Sequence, residues 1–396
     1  MNSDDAARQL LAQLRLQEQA FDGAAIIDET IVRRGAERYL RQTATIENPN
    51  DKSFHFLTDE WISNAVGTVD DLWDAHFTKV MQKIKGAANV LFASESLEEQ
   101  RLVIGHMATG NLNAMTMPVP EHPGTFLVVL EDEVISFATF ACAVLAGTVP
   151  YDPAEQEKIT LVLDEREIEQ QIATDSILVD RFTELTIRYA IYGNLRGVLP
   201  PPLSASHLLL SEMLIAAVDC FVVGHEYAHA VMEHLDNAEV PEAEIHTYLW
   251  NQEMDADLLG AGLAMVAIEQ HDYATGFAGI CIFFGMLDVI ERTVSLLQTG
   301  LEDSRPFGTH PPASLRRQFL CESLPKLAGG DPRVAEQLKM ALEVADSFTR
   351  VIDLLWNRIK PIVVDLHAQG IPAAHKWRTA TKNTAPERDR PVTLRE

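Results

Sequence analysis

The sequence predicts a mainly helical α+β fold, with a small β-sheet set over one long apolar helix. Three observations predict it. Most of the 396 residues lie in stretches whose apolar positions recur every three or four residues, the spacing of helices that bury one face. Thr125-Phe126-Leu127-Val128-Val129-Leu130, behind Pro123-Gly124, and the short run at 159–163 are instead compact, rich in β-branched residues and bounded by breakers, as strands are. Pro200-Pro201-Pro202 is a hard stop, and Ser204 or Ser206 can cap a helix that runs on to Leu235 with no proline and only Gly224 inside it.

In chain order, residues 1–46 have helical spacing, with Leu10, Leu11 and Leu14 among polar residues, and so does Ile26–Leu40. Thr68–Phe92 repeats the pattern through Leu72, Trp73, Phe77, Val80, Met81 and Ile84, a stripe that reads as core. Residues 1–120 are therefore expected as a helical N-terminal region, a candidate lid or regulatory segment. Residues 121–330 form the expected main domain, with strands at about 125–130 and 159–163 and helices at about 204–235, 242–268 and 277–297. Pro332–His367 reads as an amphipathic C-terminal helix within 331–375, with Pro361 a candidate break. The tail 376–396 is charged and poor in apolar groups, so it is expected to be disordered.

The net charge of −26 weighs against nucleic acid and against anionic lipid, both of which need clustered Lys and Arg. Cys142, Cys220, Cys281 and Cys321 form no CxxC pair and read as reduced, buried small side chains. The acidic start Met1-Asn2-Ser3-Asp4-Asp5 lacks the features of a signal peptide. Val134–Val149 and Gly276–Ile290 are apolar but shorter than a membrane span, so no insertion is expected and the expected location is cytoplasmic.

The chemistry concentrates in His225-Glu226-Tyr227-Ala228-His229. On a helix the two histidines are one turn apart and project from the same face, so both imidazoles can bind one zinc ion. Glu226 lies beside His225, where its carboxylate can take a proton from water at the metal without occupying the metal. Twenty-four residues beyond His229, Glu253 and Asp257 repeat the one-turn spacing on the next helix. Glu253 can serve as third ligand while Asp257 reaches back to a ligand imidazole. His234 lies too far round to join that face and reads as a structural, helix-terminal histidine.

These segments resemble a known family. The pattern His225-Glu226-x-x-His229 followed by His234, then Glu253-x-x-Ala256-Asp257-x-x-Gly260, then Thr309-His310-Pro311-Pro312 with Arg316, is similar in order and spacing to the HtpX-like and CAAX-prenyl protease family of gluzincins. The resemblance covers about residues 220–320. It implies a zincin-like metallopeptidase domain holding one zinc ion per chain through His225, His229 and Glu253. Glu226 is then the general base and Asp257 the partner of His225. His310 is the implied donor to the developing oxyanion, with Arg316 as a further substrate or oxyanion contact.

The expected activity is zinc-dependent hydrolysis of peptide bonds in a protein or peptide substrate. Two other readings share the same residues: a non-catalytic, metal-stabilised interaction scaffold, and a regulated toxin or defence protease with the N-terminal half as sensor. Glu226 separates the first from an enzyme, because a structural zinc site is closed by four protein ligands and has no use for a base.

Overall fold

The computed structural model describes residues 2–22, 69–92, 101–107, 111–150, 164–195, 198–232, 234–235, 241, 244–268, 273–302, 310–328 and 331–374. The expected helix at 26–40, the strand at 159–163 and the tail at 376–396 lie outside these residues.

The chain opens with α1 (Ser3–Asp22) and α2 (Val69–Leu91), followed by three strands, β1 (Arg101–Met107), β2 (Ala114–Pro118) and β3 (Thr125–Glu131). They form one mixed sheet in the order β1-β3-β2, with β1 parallel and β2 antiparallel to β3. Gly124, at φ 71°, turns the chain into β3, a left-handed backbone that a glycine adopts at no steric cost. Along each strand the side chains alternate between two cores. Leu127 and Val129 of β3, with Val103 and Met107 of β1, pack against Ala7 and Leu11 of α1. Val128 and Leu130, with Leu102 and Ile104, point the other way into the main core with Phe77 and Ile84 of α2.

The expected strand at 125–130 is therefore present as β3, whereas β1 and β2 fall in the segment read as helical. The boundary placed near residue 120 lies inside the turn joining β2 to β3. The reason is physical. β1 is buried on both faces from Leu102 to Met107, so it lacks the polar alternation that betrays a strand. β2 is Ala-Met-Thr-Met-Pro, in which the β-branched Thr116 stands alone among residues of weaker strand preference, and it is recruited by pairing with β3.

Beyond the sheet the chain is helical: α3 (Asp132–Thr148), α4 (Glu165–Thr174), α5 (Ser176–Tyr192), α6 (Ala205–Val231), α7 (Ile245–Ala267), α8 (Tyr273–Thr299), α9 (Ala313–Ser323), a 3-10 turn (Leu324–Ala328) and α10 (Pro332–Ala368). Asp164 and Asp175 cap α4 and α5, and of the two candidate serines it is Ser204 that caps α6. α6 is the central helix, packed against α2, α3, α7 and α8, while α10 lies along α8. α10 passes through Pro361 without a break. Pro361 and Asn357, whose carbonyl loses its intrahelical donor, are both on the exposed side, where water can replace the missing bond.

Two helices, α6 and α8, are long and apolar enough to cross a membrane, longer than the apolar runs suggest in the sequence; 67% and 78% of their most apolar windows are buried inside this chain. Cys142, Cys220 and Cys281 are buried and Cys321 is half-buried, all as free thiols. Burial and the Asp219 carboxylate push the Cys220 thiol up to about 12, a value that keeps it protonated and unreactive.

Candidate metal centre

The centre lies where α6 and α7 touch. Gly224 of α6 faces Gly260 of α7, and a Cβ added at Gly260 would sit 2.8 Å from the backbone nitrogen of His225. Two glycines at the crossing let the helix backbones approach this closely, which brings side chains on both helices to one point.

On α6, one turn of helix sets the Nε2 atoms of His225 and His229 3.1 Å apart. From α7, Glu253 brings Oε2 to 3.5 Å from His225 Nε2 and Oε1 to 3.7 Å from His229 Nε2. Ligands at about 2.0–2.1 Å from a tetrahedral ion are separated by roughly 3.3 Å, the edge of that tetrahedron. The three observed separations, the two from Glu253 being those of its two different oxygens, lie near this edge. Among the described residues, the group of His, Cys, Asp and Glu able to hold an ion is this trio, with its ligand atoms within 4.8 Å of one another.

The donor set also has room for what an ion would supply. Glu253 Oε2 is buried and has no hydrogen-bond partner, although a buried carboxylate oxygen left so is costly. Two imidazoles and a carboxylate suit a borderline cation such as zinc.

Each histidine is backed from behind. His225 Nδ1 lies 3.0 Å from Oδ1 of Asp257, which is wholly buried one turn beyond Glu253. His229 Nδ1 lies 3.1 Å from His234 Nδ1, just past the end of α6. His234, expected as a structural histidine, thus has a candidate metal ligand as its partner, and where His229 donates from Nδ1 its Nε2 is left to face an ion. Gln252 in turn donates to the His234 carbonyl and to the hydroxyl of the half-buried Tyr248.

Arg316, on α9, departs from its expected role. Its Nε and Nη2 donate to Asp257 Oδ2 and Oδ1 at 2.7 and 2.6 Å, its Nη2 also approaches Glu253 Oε2 at 3.4 Å, and its plane lies over the Phe284 ring. A guanidinium committed to two buried carboxylates holds the back of the site and is not spare for a substrate. His310, by contrast, is at the site and partly exposed, with Nε2 3.4 Å from Glu253 Oε1.

Glu226 is buried beside the trio without belonging to it. One partner is not signalled by the sequence: the Thr116 hydroxyl on β2, 2.7 Å from Glu226 Oε2 and 3.0 Å from the Glu226 carbonyl.

The electrostatics divide the two histidines. Burial works against charge on His225, yet the carboxylates of Asp257 and Glu253 beside it hold it up at about 10. Burial and the neighbouring His225 push His229 down to about 3. Burial opposes ionisation of Glu253 and Asp257 too, but His225 for the first and Arg316 for the second keep both carboxylates below their usual range.

The other histidines singled out for weighing stand apart: His207 ties the start of α6 to the Val149 carbonyl, His246 is exposed, and His271 lies outside the described residues. No known protein-family model, no curated protein and no solved structure matches this chain, so the chemistry of the centre itself bears the weight of any functional conclusion.

Proposed function

We propose that this chain is a zinc-dependent metalloendopeptidase of the gluzincin type, acting on protein or peptide substrates. The observation that carries the reading is the geometry: His225, His229 and Glu253 at tetrahedral spacing, with a buried carboxylate, Glu226, next to them and outside the set. Three protein ligands leave a position for water and substrate, as in catalytic sites, where a structural site would use a fourth. The order of the three sequence motifs, which resembles that of the HtpX-like and CAAX-prenyl proteases, supports the same reading.

Bound zinc would polarise the scissile carbonyl and make water a better nucleophile near neutral pH. The chain supplies the rest. Glu226 takes the proton from the attacking water and returns it to the amide nitrogen as the C–N bond breaks, which balances the hydrolysis. His310, at the exposed side of Glu253, donates to the carbonyl oxygen as it gains charge.

Strand β2 offers the substrate a docking edge. Glu131 N donates to Asn113 O, and Val119 N donates to Thr125 O. These bonds place the odd-numbered residues of β2 in hydrogen-bonded pairs with β3 and turn the backbone groups of Ala114, Thr116 and Pro118 outward. An extended peptide adding to that edge lies against α6.

The test compares wild type with Glu226→Gln after zinc loading, on fluorescently labelled casein and by mapping new N-termini in cells expressing each. Zinc bound by both proteins, with cleavage confined to the wild type, is expected. Equal cleavage by the two, or no zinc in either, would overturn the proposal.

A further inference from the structure

We infer that Thr116 is a positioning residue for Glu226, tying the strand edge proposed to receive substrate to the group proposed to take the proton. The inference rests on the peptidase reading of the centre and adds a residue that no motif includes.

Thr116 is the middle residue of β2, and its two halves do different things. Its backbone N–H and carbonyl face the open edge of the sheet, because it sits in a non-hydrogen-bonded pair with Val128. Its side chain points from the sheet onto α6, where the hydroxyl reaches Glu226 Oε2 at 2.7 Å and the Glu226 carbonyl at 3.0 Å. At 2.7 Å against 3.0 Å, the carboxylate oxygen is the nearer acceptor for the single hydroxyl proton. The carbonyl contact pins the hydroxyl over the backbone of the same residue whose side chain it holds.

A glutamate has three side-chain torsions, and a base works only in the rotamers that bring one oxygen within about 2.6–3.2 Å of the water it deprotonates. The bond from Thr116 holds the carboxylate through Oε2 and so narrows the rotamers open to it. Because β2 carries both the hydroxyl and the docking edge, the peptide backbone and the carboxylate are located by one residue, and their relative placement is set by the strand.

The test uses Thr116→Val, which keeps the shape and the strand preference, and Thr116→Ser, which keeps the hydroxyl. Both are zinc-loaded, checked for thermal unfolding and crystallised beside the wild type. On labelled casein, Thr116→Val is expected to lower kcat ten- to a hundredfold with KM within about twofold, as a misplaced base does, and Thr116→Ser to stay within about threefold of wild type. Zinc content should be equal in all three, and the Glu226 carboxylate should leave its wild-type rotamer in the Val variant alone. A Val variant with wild-type kcat and an unmoved Glu226, or a Ser variant as impaired as Val, overturns the inference. If the wild type binds zinc but cleaves nothing, the peptidase reading fails by itself, and the crystal structures still decide whether Thr116 positions Glu226.

Discussion

Replacing Gly260 with alanine isolates the feature on which the centre depends, the close crossing of α6 and α7. The new Cβ would lie 2.8 Å from His225 N and 2.9 Å from His225 Cα, both backbone atoms of α6 that cannot rotate away. Ordinary contact begins near 3.4 Å, so the helices must part by about 0.6 Å at this point. Metal–ligand distances tolerate about 0.2 Å, and Glu253 sits two turns from Gly260 on the same face of α7. The displacement therefore moves Glu253 relative to both histidines by more than a tetrahedral site absorbs, unless α7 pivots. Zinc affinity, measured by chelator competition, should fall about 10–100-fold, and the metal-free protein should lose about 1–3 kcal/mol from overpacking. Two controls sharpen the test. Gly224→Ala meets Gly260 O at 3.1 Å and should have a smaller effect, while Gly262→Ala, on the same helix, meets nothing within 4 Å and should be neutral or stabilising by up to about 1 kcal/mol. Gly260→Ala with unchanged zinc affinity, or Gly262→Ala equally damaging, would refute the reasoning.

Asp257→Asn should weaken zinc binding about 10–100-fold, because it loosens His225, and should cost about 3–5 kcal/mol in unfolding experiments, because Arg316 is left buried without its carboxylate. Replacing Arg316 with methionine in the same protein should recover part of that stability, and no recovery would argue against the pairing. Zinc uptake at pH 7 should release about one proton: His225, held near 10, must lose its proton to ligate, while His229, near 3, and Glu253, held below the usual range, are already in their ligating forms. Apparent affinity then falls about tenfold per pH unit on acidification below 10, and calorimetry in buffers of different ionisation enthalpy that counts zero or two protons would contradict this assignment. His310→Ala should reduce kcat about 10²–10³-fold with zinc content unchanged, whereas a loss of zinc would make His310 part of the metal set.

What was legible in the sequence follows from how local each feature is. The four groups His225, Glu226, His229 and Glu253 come from two helices, each of which announces itself by spacing, and a one-turn interval on a helix fixes which side chains share a face. β3 was equally readable, since its breakers and β-branched run are contiguous. Thr116 was not: it is one threonine in Ala-Met-Thr-Met-Pro, 110 residues from its partner, and only the pairing of β2 with β3 decides which way it faces. Arg316 shows an intermediate case. Its presence near the site followed from the motif order, but its role did not, because the choice between a substrate and a buried carboxylate is made by where α9 lies against α7.

The same close crossing explains why an ion should stabilise the whole chain. α6 is buried over most of its length, yet it carries His225 and Glu226 inward, opposite Glu253 and Asp257 of α7 and Arg316 of α9. Each buried charge costs several kcal/mol to desolvate unless its partners are complete. Arg316 answers Asp257, but Glu253 Oε2 has only distant positive neighbours, at 3.4 and 3.5 Å, and no hydrogen bond. A dication among Nε2, Nε2 and Oε2 supplies what those contacts lack, and because the trio joins two helices of the central core it holds them together as well. Ligand present at 100 times its dissociation constant adds about 2.7 kcal/mol to the folded state. In a folded unit whose core runs from Phe77 to Ala373 each kcal/mol moves the midpoint by about 2 °C or somewhat less, so zinc should raise Tm by a few degrees over protein treated with a chelator. The His225→Ala variant should unfold at the same temperature with and without zinc. A wild-type midpoint indifferent to zinc at millimolar concentration would mean that the trio holds no ion.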